Sequence, residues 1–209
     1  MPADRDELRR FLASATARVR SLGEPQGQPS FGLDELRGRL VEISARGASA
    51  TLTAAIELVA EAQEQGEPIA WIAGASGTFY PPDVAESGID LQALVVVRVV
   101  DAVAAARAAE RLLRSGAFGL VVIDDIAELS LAAQGRLVAL AQAHDAAIAC
   151  LTAKPDDAGS LGSLVSLRAE ALRRRDEHDF AVTVRALKDK RRGPGWTHAT
   201  RRRGPAGLV

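Results

Sequence analysis

Leu40-Val41-Glu42-Ile43 is a short apolar run typical of a buried strand, and the periodic segment 52–65 that follows predicts a helix. Between them stands Ala45-Arg46-Gly47-Ala48-Ser49-Ala50-Thr51-Leu52. A loop between a strand and a helix is where a phosphate-binding loop of pattern G-x-x-x-x-G-K-[ST] is expected. The stretch therefore predicts an α/β fold built on a nucleotide-binding architecture.

The loop lacks all four fixed residues of that pattern, and the first lysine of the chain is Lys154. A phosphate-binding loop needs glycines so that backbone N–H groups can approach the phosphates, and a lysine to neutralise them. We therefore expect a degenerate site that binds no cofactor and catalyses no reaction. Its positions are Ala45, Arg46, Gly47, Ala50, Thr51 and Leu52.

Composition limits the other classes of function. The chain has 209 residues, 47% of them hydrophobic but only 4% aromatic, so aliphatic packing must supply the core. The single cysteine, Cys150, lies in an apolar run and is expected to be a buried structural thiol. The three histidines are isolated in sequence, so no metal site is expected. With no long apolar stretch and no signal-peptide core at the N-terminus, we expect a cytoplasmic protein.

The N-terminal region predicts an amphipathic helix over 6–22, followed by a Gly/Pro-rich linker. The chain divides into this helix (1–24), the linker (25–30), a core (31–190) and a basic tail (191–209). The apolar stripe of the helix consists of Leu8, Phe11, Leu12, Ala15, Val19 and Leu22.

Strands and helices alternate through the core, which predicts a mostly parallel sheet with helices on both faces. The last two strands flank a charged segment and are expected to form an antiparallel hairpin at the sheet edge. The predicted strands are 40–43, 69–73, 94–98, 119–124, 147–152, 164–169 and 180–186. The predicted helices are 52–65, 81–87, 101–115 and 131–144.

Several short matches, in order along the chain, give the core a resemblance to the bacterial RecA recombinase. They include Val41-Glu42-Ile43, the Walker B-like Leu120-Val121-Val122-Ile123-Asp124, and the lysine-ended strand Val182-Thr183-Val184-Arg185-Ala186-Leu187-Lys188-Asp189-Lys190. The resemblance implies a RecA-like core. It also implies that Asp124 is a residual Walker B aspartate, and that Ala75 stands where the recombinase has its catalytic glutamate.

The two DNA-binding loops of the recombinase are also altered. The first is cut to a few residues around Glu128-Leu129-Ser130, and the second is reduced to the acidic 154–160. A RecA-like chain of this size without ATPase residues or DNA loops resembles the ImuA family. That resemblance implies an accessory protein of SOS-induced translesion synthesis, with RecA and a Y-family-like polymerase subunit as partners.

Two segments are candidates for binding these partners. In RecA-like filaments an N-terminal helix packs on the adjacent subunit, so the helix 6–22 is expected to dock on RecA through Leu8, Phe11, Leu12 and Val19. The same helix could instead fold back on the core, or form a homodimer or small ring. The tail is expected to be disordered beyond Trp196. Its candidate contacts are Arg191, Arg192, Trp196, Arg201, Arg202 and Arg203. The tail could be a solvated extension, a DNA contact with Trp196 stacked on a base, or an anchor for the polymerase complex. The resemblance favours the polymerase complex.

Two alternatives from other classes remain at this point. Arg46 could contact phosphate in a non-standard ATPase, although an arginine cannot replace the missing glycines. A SulA-like cell-division inhibitor would also have a degenerate RecA-like fold.

Overall fold

The computed structural model describes residues 29–45, 47, 49–74, 79–80, 84–85, 87–176 and 179–203. The predicted helix 6–22 lies outside the described residues, as do Arg46 and Ala75. The predicted helix 81–87 falls mostly outside them. No helix in the described part of the chain is both long and apolar enough to cross a bilayer.

The described elements alternate between helix and strand as far as β5, with a 3₁₀ turn at Leu91–Ala93. The helices are α1 (Leu33–Leu36), α2 (Thr51–Glu64), α3 (Ala102–Arg114) and α4 (Leu131–Ala143). The strands are β1 (Arg39–Ser44), β2 (Ile69–Ala73), β3 (Leu94–Arg98), β4 (Leu120–Asp124), β5 (Ala147–Thr152), β6 (Leu167–Asp176), β7 (Asp179–Asp189) and β8 (Thr197–Arg203).

The eight strands form one sheet in the order β3-β2-β4-β5-β1-β6-β7-β8. The first six pair in parallel, and β7 and β8 continue the sheet antiparallel. Every residue of β1, β2, β4 and β5 is buried, as expected for parallel strands covered on both faces. The predicted α/β fold, with a mostly parallel sheet flanked by helices, is confirmed.

Helices cover both faces of the parallel strands and enclose two apolar clusters. On one face, α2 packs Leu58 and Val59 against alternate residues of the strands, including Trp71. On the other face, α3 and α4 pack Leu113 and Leu137 against the opposite set. Because successive strand residues point to opposite faces, each buried strand contributes to both clusters.

Local capping explains where two of the helices begin. The Asp101 side chain accepts a hydrogen bond from the Ala104 amide at 2.7 Å, and Ser130 does the same for Ala133 at 3.3 Å. These contacts satisfy amides that have no partner within the helix. Asp101 therefore caps the helix that the sequence predicts over 101–115.

The C-terminal part of the sheet differs from the sequence prediction in two respects. The strand predicted over 164–169 lies over Leu167–Asp176, so the arginine run 173–175 belongs to the strand and not to the turn. The prediction of disorder beyond Trp196 is also wrong, because Thr197–Arg203 pairs with β7 as the edge strand. The charged residues of β6 and the Gly/Pro-rich sequence before β8 gave no local strand signal. Both strands form because they hydrogen-bond to β7.

A buried ion pair joins the start of β1 to the end of β7. The Arg39 guanidinium donates to the Asp189 carboxylate at 2.6 Å, and both side chains are almost fully buried. Asp189 also accepts from the Arg191 amide at 2.9 Å and from the Trp196 indole at 3.0 Å. Burial opposes the charge of Asp189, but these hydrogen bonds and Arg39 hold its pKa below the ordinary value. The pair therefore fixes the segment that leads into β8.

We predict that Asp189→Ala lowers the free energy of unfolding by about 3–5 kcal/mol, because Arg39 would be left buried without its counter-charge. Asp34→Ala is the matched control, since Asp34 pairs with Arg37 but its side chain is 77% exposed. Its effect should stay below about 1 kcal/mol. Urea unfolding of both variants measures the difference, and equal effects would contradict the assigned role of the buried pair.

Candidate functional site

The degenerate loop lies between the end of β1 at Ser44 and the start of α2 at Thr51. Its described residues are Ala45, Gly47, Ser49 and Ala50. Ala45 and Ala50 are buried, whereas Gly47 is exposed and has a left-handed backbone with φ of 83°. The loop therefore occupies the predicted position, with alanine methyl groups packed inward where the motif has glycines.

Three of the described backbone amides of this loop donate to carbonyls of the protein itself. Ala50 N–H donates to the Ala171 carbonyl of β6 at 2.9 Å, and Ser49 N–H donates to the Gly47 carbonyl at 2.7 Å. Ala45 N–H makes a longer contact of 3.4 Å with the Thr152 carbonyl. A phosphate is bound by amides that point together into an open concavity. These amides would have to break existing hydrogen bonds to take that role.

The side chains at the start of α2 are also engaged. Thr51 Oγ1 lies 3.1 Å from Ser49 Oγ, and the Thr51 amide donates to the same Ser49 oxygen at 3.3 Å. Leu52, at the position where the motif has its hydroxyl, packs against the apolar cluster under α2. In a phosphate-binding loop that hydroxyl holds Mg²⁺, so the leucine removes a metal ligand.

Asp124 ends β4 at the position that the Walker B resemblance predicts, and it is 5% exposed. The Gly74 amide donates to its carbonyl at 3.3 Å, which brings the end of β2 against it. A Cβ at Gly74 would lie 3.2 Å from that carbonyl oxygen, so the close approach favours glycine. Within the described residues, no group of three or more His, Cys, Asp or Glu is arranged to hold a metal ion.

A second cluster of charged residues surrounds Glu42, a fully buried carboxylate in the middle of the sheet. Glu42 accepts from Thr152 Oγ1 at 2.9 Å and from the Leu161 amide at 2.6 Å. Lys154 lies 3.3 Å from it, and Arg168 lies 3.9 Å away on the adjoining strand. A buried carboxylate needs such partners because removing a charge from water is costly.

This cluster holds the segment 153–166, which joins β5 to β6. Besides the bond from Leu161 to Glu42, the Arg168 guanidinium donates to the carbonyls of Pro155 at 2.7 Å and of Ala158. Gln134 on α4 accepts from the Leu164 amide at 3.1 Å. The segment is therefore hydrogen-bonded to three elements, β1, β6 and α4.

Cys150 lies on β5 beside this cluster. Burial raises the pKa of its thiol to about 12, and the nearby Glu42 carboxylate adds to the shift. The thiol therefore stays protonated at neutral pH and is not available as a nucleophile. The expectation of a buried structural cysteine is confirmed.

Comparison with known proteins identifies the family. The model of the RecA N-terminal domain matches residues 28–149, from the segment before α1 into β5. The chain belongs to the RecA N-terminal domain family.

Individual RecA proteins match shorter parts of the chain. Protein RecA of Chlorobium limicola is 38% identical over 93 residues, which are 44% of this chain and 26% of that protein. Protein RecA of Chlorobium chlorochromatii is 34% identical over 118 residues, 56% of this chain and 33% of that protein. Protein RecA of Kineococcus radiotolerans is 39% identical over 93 residues, 44% of this chain and 26% of that protein. The match therefore covers about a quarter to a third of the RecA proteins themselves.

The residues 154–160, which the RecA resemblance predicts to stand for the second DNA loop, lie within the segment 153–166. Arg185 pairs with Asp156 at 2.9 Å, and Lys188 lies 3.4 Å from Ser160. Gly162 packs against Gln134 so closely that a Cβ would collide with its amide group. Arg185 and Lys188 of β7 therefore help to hold this segment in place.

Three residues of the predicted tail site also make contacts within the protein. Arg191 donates to the carbonyls of Glu35 and Arg37, and Arg192 pairs with the Glu35 carboxylate at 2.8 Å. Trp196 is half-buried against the apolar cluster under α2. These three side chains attach the tail to the body, while Arg201 and Arg202 remain exposed on β8 and Arg203 ends that strand.

The opposite edge of the sheet presents apolar side chains to solvent. Within the described part of the sheet, β3 pairs only with β2. Val95 and Val96 on this strand are 45% and 38% exposed, and Val100 just beyond it is 81% exposed. Val103 and Leu131, at the starts of α3 and α4, are exposed as well. We call these five residues the apolar edge.

Sequence reasoning found the degenerate loop and Asp124 but missed the Glu42 cluster and the apolar edge. A glutamate inside an apolar strand run was the available signal for the cluster, since such a residue is rarely buried without partners. The exposed valines of β3 gave no signal. Their run looks like that of a strand buried on both faces, and only the sheet order places it at an edge.

We predict that Glu42→Ala frees the segment 153–166 and lowers the free energy of unfolding by about 3–5 kcal/mol, since Lys154 and Arg168 would lose their buried counter-charge. Hydrogen exchange at the Leu161 amide should accelerate more than at amides of β4. Glu64→Ala, at an exposed position on α2, is the control. Unchanged exchange at Leu161 in a folded variant would refute the assigned contact.

Proposed function

We propose that this RecA-family chain acts by binding other proteins and not by hydrolysing ATP, as an accessory protein of SOS-induced translesion synthesis. The observation that carries the proposal is the state of the degenerate loop. The amides of Ala45, Ser49 and Ala50 donate to protein carbonyls, the two fixed glycines of the motif are replaced by alanines, and no lysine is present in the motif. The link to translesion synthesis rests on the resemblance to the ImuA family.

RecA is the first proposed partner. A head-to-tail assembly needs two different surfaces on each subunit. The N-terminal helix, with Leu8, Phe11, Leu12 and Val19, is one candidate, and the apolar edge is the other. Exposed apolar patches of this kind mark protein-binding surfaces. A chain that adds to a RecA filament without ATP-dependent chemistry of its own would cap or interrupt it.

The polymerase complex is the second proposed partner. The tail was the predicted contact, but Arg191, Arg192 and Trp196 hold the tail to the body. A polymerase contact on the tail would therefore use the exposed side of β8, including Arg201 and Arg202, and not Trp196 as an anchor.

We predict that the purified chain shows no saturable binding of a fluorescent ATP analogue with Mg²⁺ at nucleotide concentrations up to the millimolar range. RecA, titrated in parallel, is the positive control. Saturable Mg²⁺-dependent binding in the micromolar range, lost in an Ala50→Asp variant, would overturn the non-catalytic proposal and favour a non-standard ATPase.

We predict that Val100→Asp combined with Val103→Asp weakens binding to RecA by at least about tenfold, because each charge would be buried against an apolar partner. Deletion of 1–24 should have an effect of similar size. Glu64→Lys, on the far side of α2, is the control. Biolayer interferometry on free RecA and on RecA filaments, with strand exchange followed in parallel, measures both effects.

Full binding by both altered proteins would contradict the proposed RecA surfaces. Absence of RecA binding by the unaltered chain, together with cell filamentation upon expression in a strain without RecA, would favour a SulA-like division inhibitor.

A further inference from the structure

A groove lies between the amino-terminal halves of α3 and α4, near the carboxyl ends of the parallel strands. It is lined by residues of both helices, of the loop between β4 and α4, and of the segment 153–166, and its volume is about 440 Å³. Ligand sites in proteins typically have volumes of about 300–1,000 Å³. The groove is therefore large enough to receive apolar side chains of a partner. We call it the α3–α4 groove.

The floor of the α3–α4 groove is apolar. Ala106 and Ala133 line it from the two helices, and the buried side chains of Leu129 and Leu161 line it from the two connecting segments. Alanine side chains are short, so the helices leave space that larger residues would fill. The floor therefore offers aliphatic contacts to a bound side chain.

Hydrogen bonds hold both leucines of the floor in place. The Leu161 amide donates to the Glu42 carboxylate at 2.6 Å, and the Leu129 carbonyl accepts from the Gln134 side chain at 2.7 Å. Ser130, which follows Leu129, caps α4. The shape of the floor is thus fixed before a partner binds, which lowers the ordering cost of association.

The rim of the α3–α4 groove is exposed and has an excess of positive charge. Arg107 and Arg136 line the groove together with Glu128. Arg136 pairs with Glu110 at 2.8 Å, and Glu110 also pairs with Arg114. Arg107 forms no hydrogen bond or ion pair with any residue in the described ranges. Because α3 and α4 carry four arginines and one glutamate, the rim complements an acidic partner.

We propose that the α3–α4 groove binds an acidic amphipathic helix of a partner protein, with apolar side chains on the floor and a carboxylate on Arg107. Amphipathic helices dock in hydrophobic grooves in this way, and the exposed Val103 adds apolar contact at the rim. Nucleic acid fits less well, because the described lining residues include no aromatic ring for base stacking and Glu128 would oppose phosphates. The inference goes beyond the proposed RecA contact, since neither RecA nor a polymerase is part of its test.

The first test is phage display of a library of randomised helical peptides on the full chain. Counter-selection on Ala106→Phe, which fills the groove without changing its charge, removes peptides that bind elsewhere. We expect the enriched peptides to share Asp or Glu beside large apolar residues at i, i+3 and i+4 spacing. No enrichment over the counter-selected variant, or enrichment of peptides without acidic residues, would overturn the proposal.

Fluorescence anisotropy with the most enriched peptide then separates charge from packing. Arg107→Glu should weaken binding by at least about threefold, with a smaller loss at high salt, because the repulsion at the rim is screened. Arg111→Glu is the matched control, since Arg111 is exposed on the same helix but does not line the groove. It should leave binding nearly unchanged.

The packing variant has its own control. Ala106→Phe should weaken binding by at least about tenfold, because the phenylalanine ring would occupy the space of the apolar anchor. Ala139→Phe, at an exposed position of α4 outside the lining, should have little effect. Circular dichroism and thermal unfolding check that each variant is folded. If Ala106→Phe is not, Arg107→Glu replaces it in the counter-selection.

Loss of peptide binding in the two groove variants and not in their controls supports the proposal. Three results contradict it: equal losses in Arg107→Glu and Arg111→Glu, full binding by a folded Ala106→Phe, or competition by polyglutamate as effective as that by the peptide itself. Because the probe is a peptide, failure here leaves the proposed RecA contact standing.

Discussion

The burial of Glu42 is the constraint on which the centre of the molecule depends. A carboxylate with no solvent access, in the strand between β5 and β6, requires partners from both neighbours. Thr152 supplies a hydroxyl, Leu161 an amide, and Lys154 and Arg168 positive charge. Satisfying one side chain thereby fixes the carboxyl ends of the central strands and the segment that follows β5. The same contacts attach that segment to β1 and β6.

A second buried charge organises the C-terminal extension. Arg39 and Asp189 neutralise each other, and Asp189 also holds the Trp196 indole. The chain that leaves β7 is therefore turned back along the sheet, and β8 can pair with β7 along seven rungs. Both clusters join a side chain of β1 to a segment that follows another strand of the sheet.

In the degenerate loop and in both charged clusters of this RecA-family core, polar groups bond to other parts of the protein. In the loop, the amides of Ala45, Ala50 and Ser49 donate to carbonyls of β5, β6 and the loop itself. Basic residues in and beside the segment 153–166 pair with Asp156, Glu170 and Glu42. Among the described residues, two exposed groups of side chains stand at opposite edges of the sheet, apolar at β3 and basic at β6–β8. The proposed roles in binding follow from this distribution.

The sequence alone determined the α/β class, the parallel strands from β1 to β5, the main helices and the loss of the phosphate-binding motif. Each of these is encoded locally, in runs of buried residues, in capping residues such as Asp101, or in a motif of fixed spacing. The tertiary structure decided the rest. The partners of Glu42 stand more than 100 residues away, and Asp189 stands 150 residues from Arg39. The pairing of β8, the internal role of Trp196 and the meeting of two arginine runs arise from contacts of this kind. No local periodicity encodes them, because their hydrogen bonds and charges are satisfied only when distant strands come together.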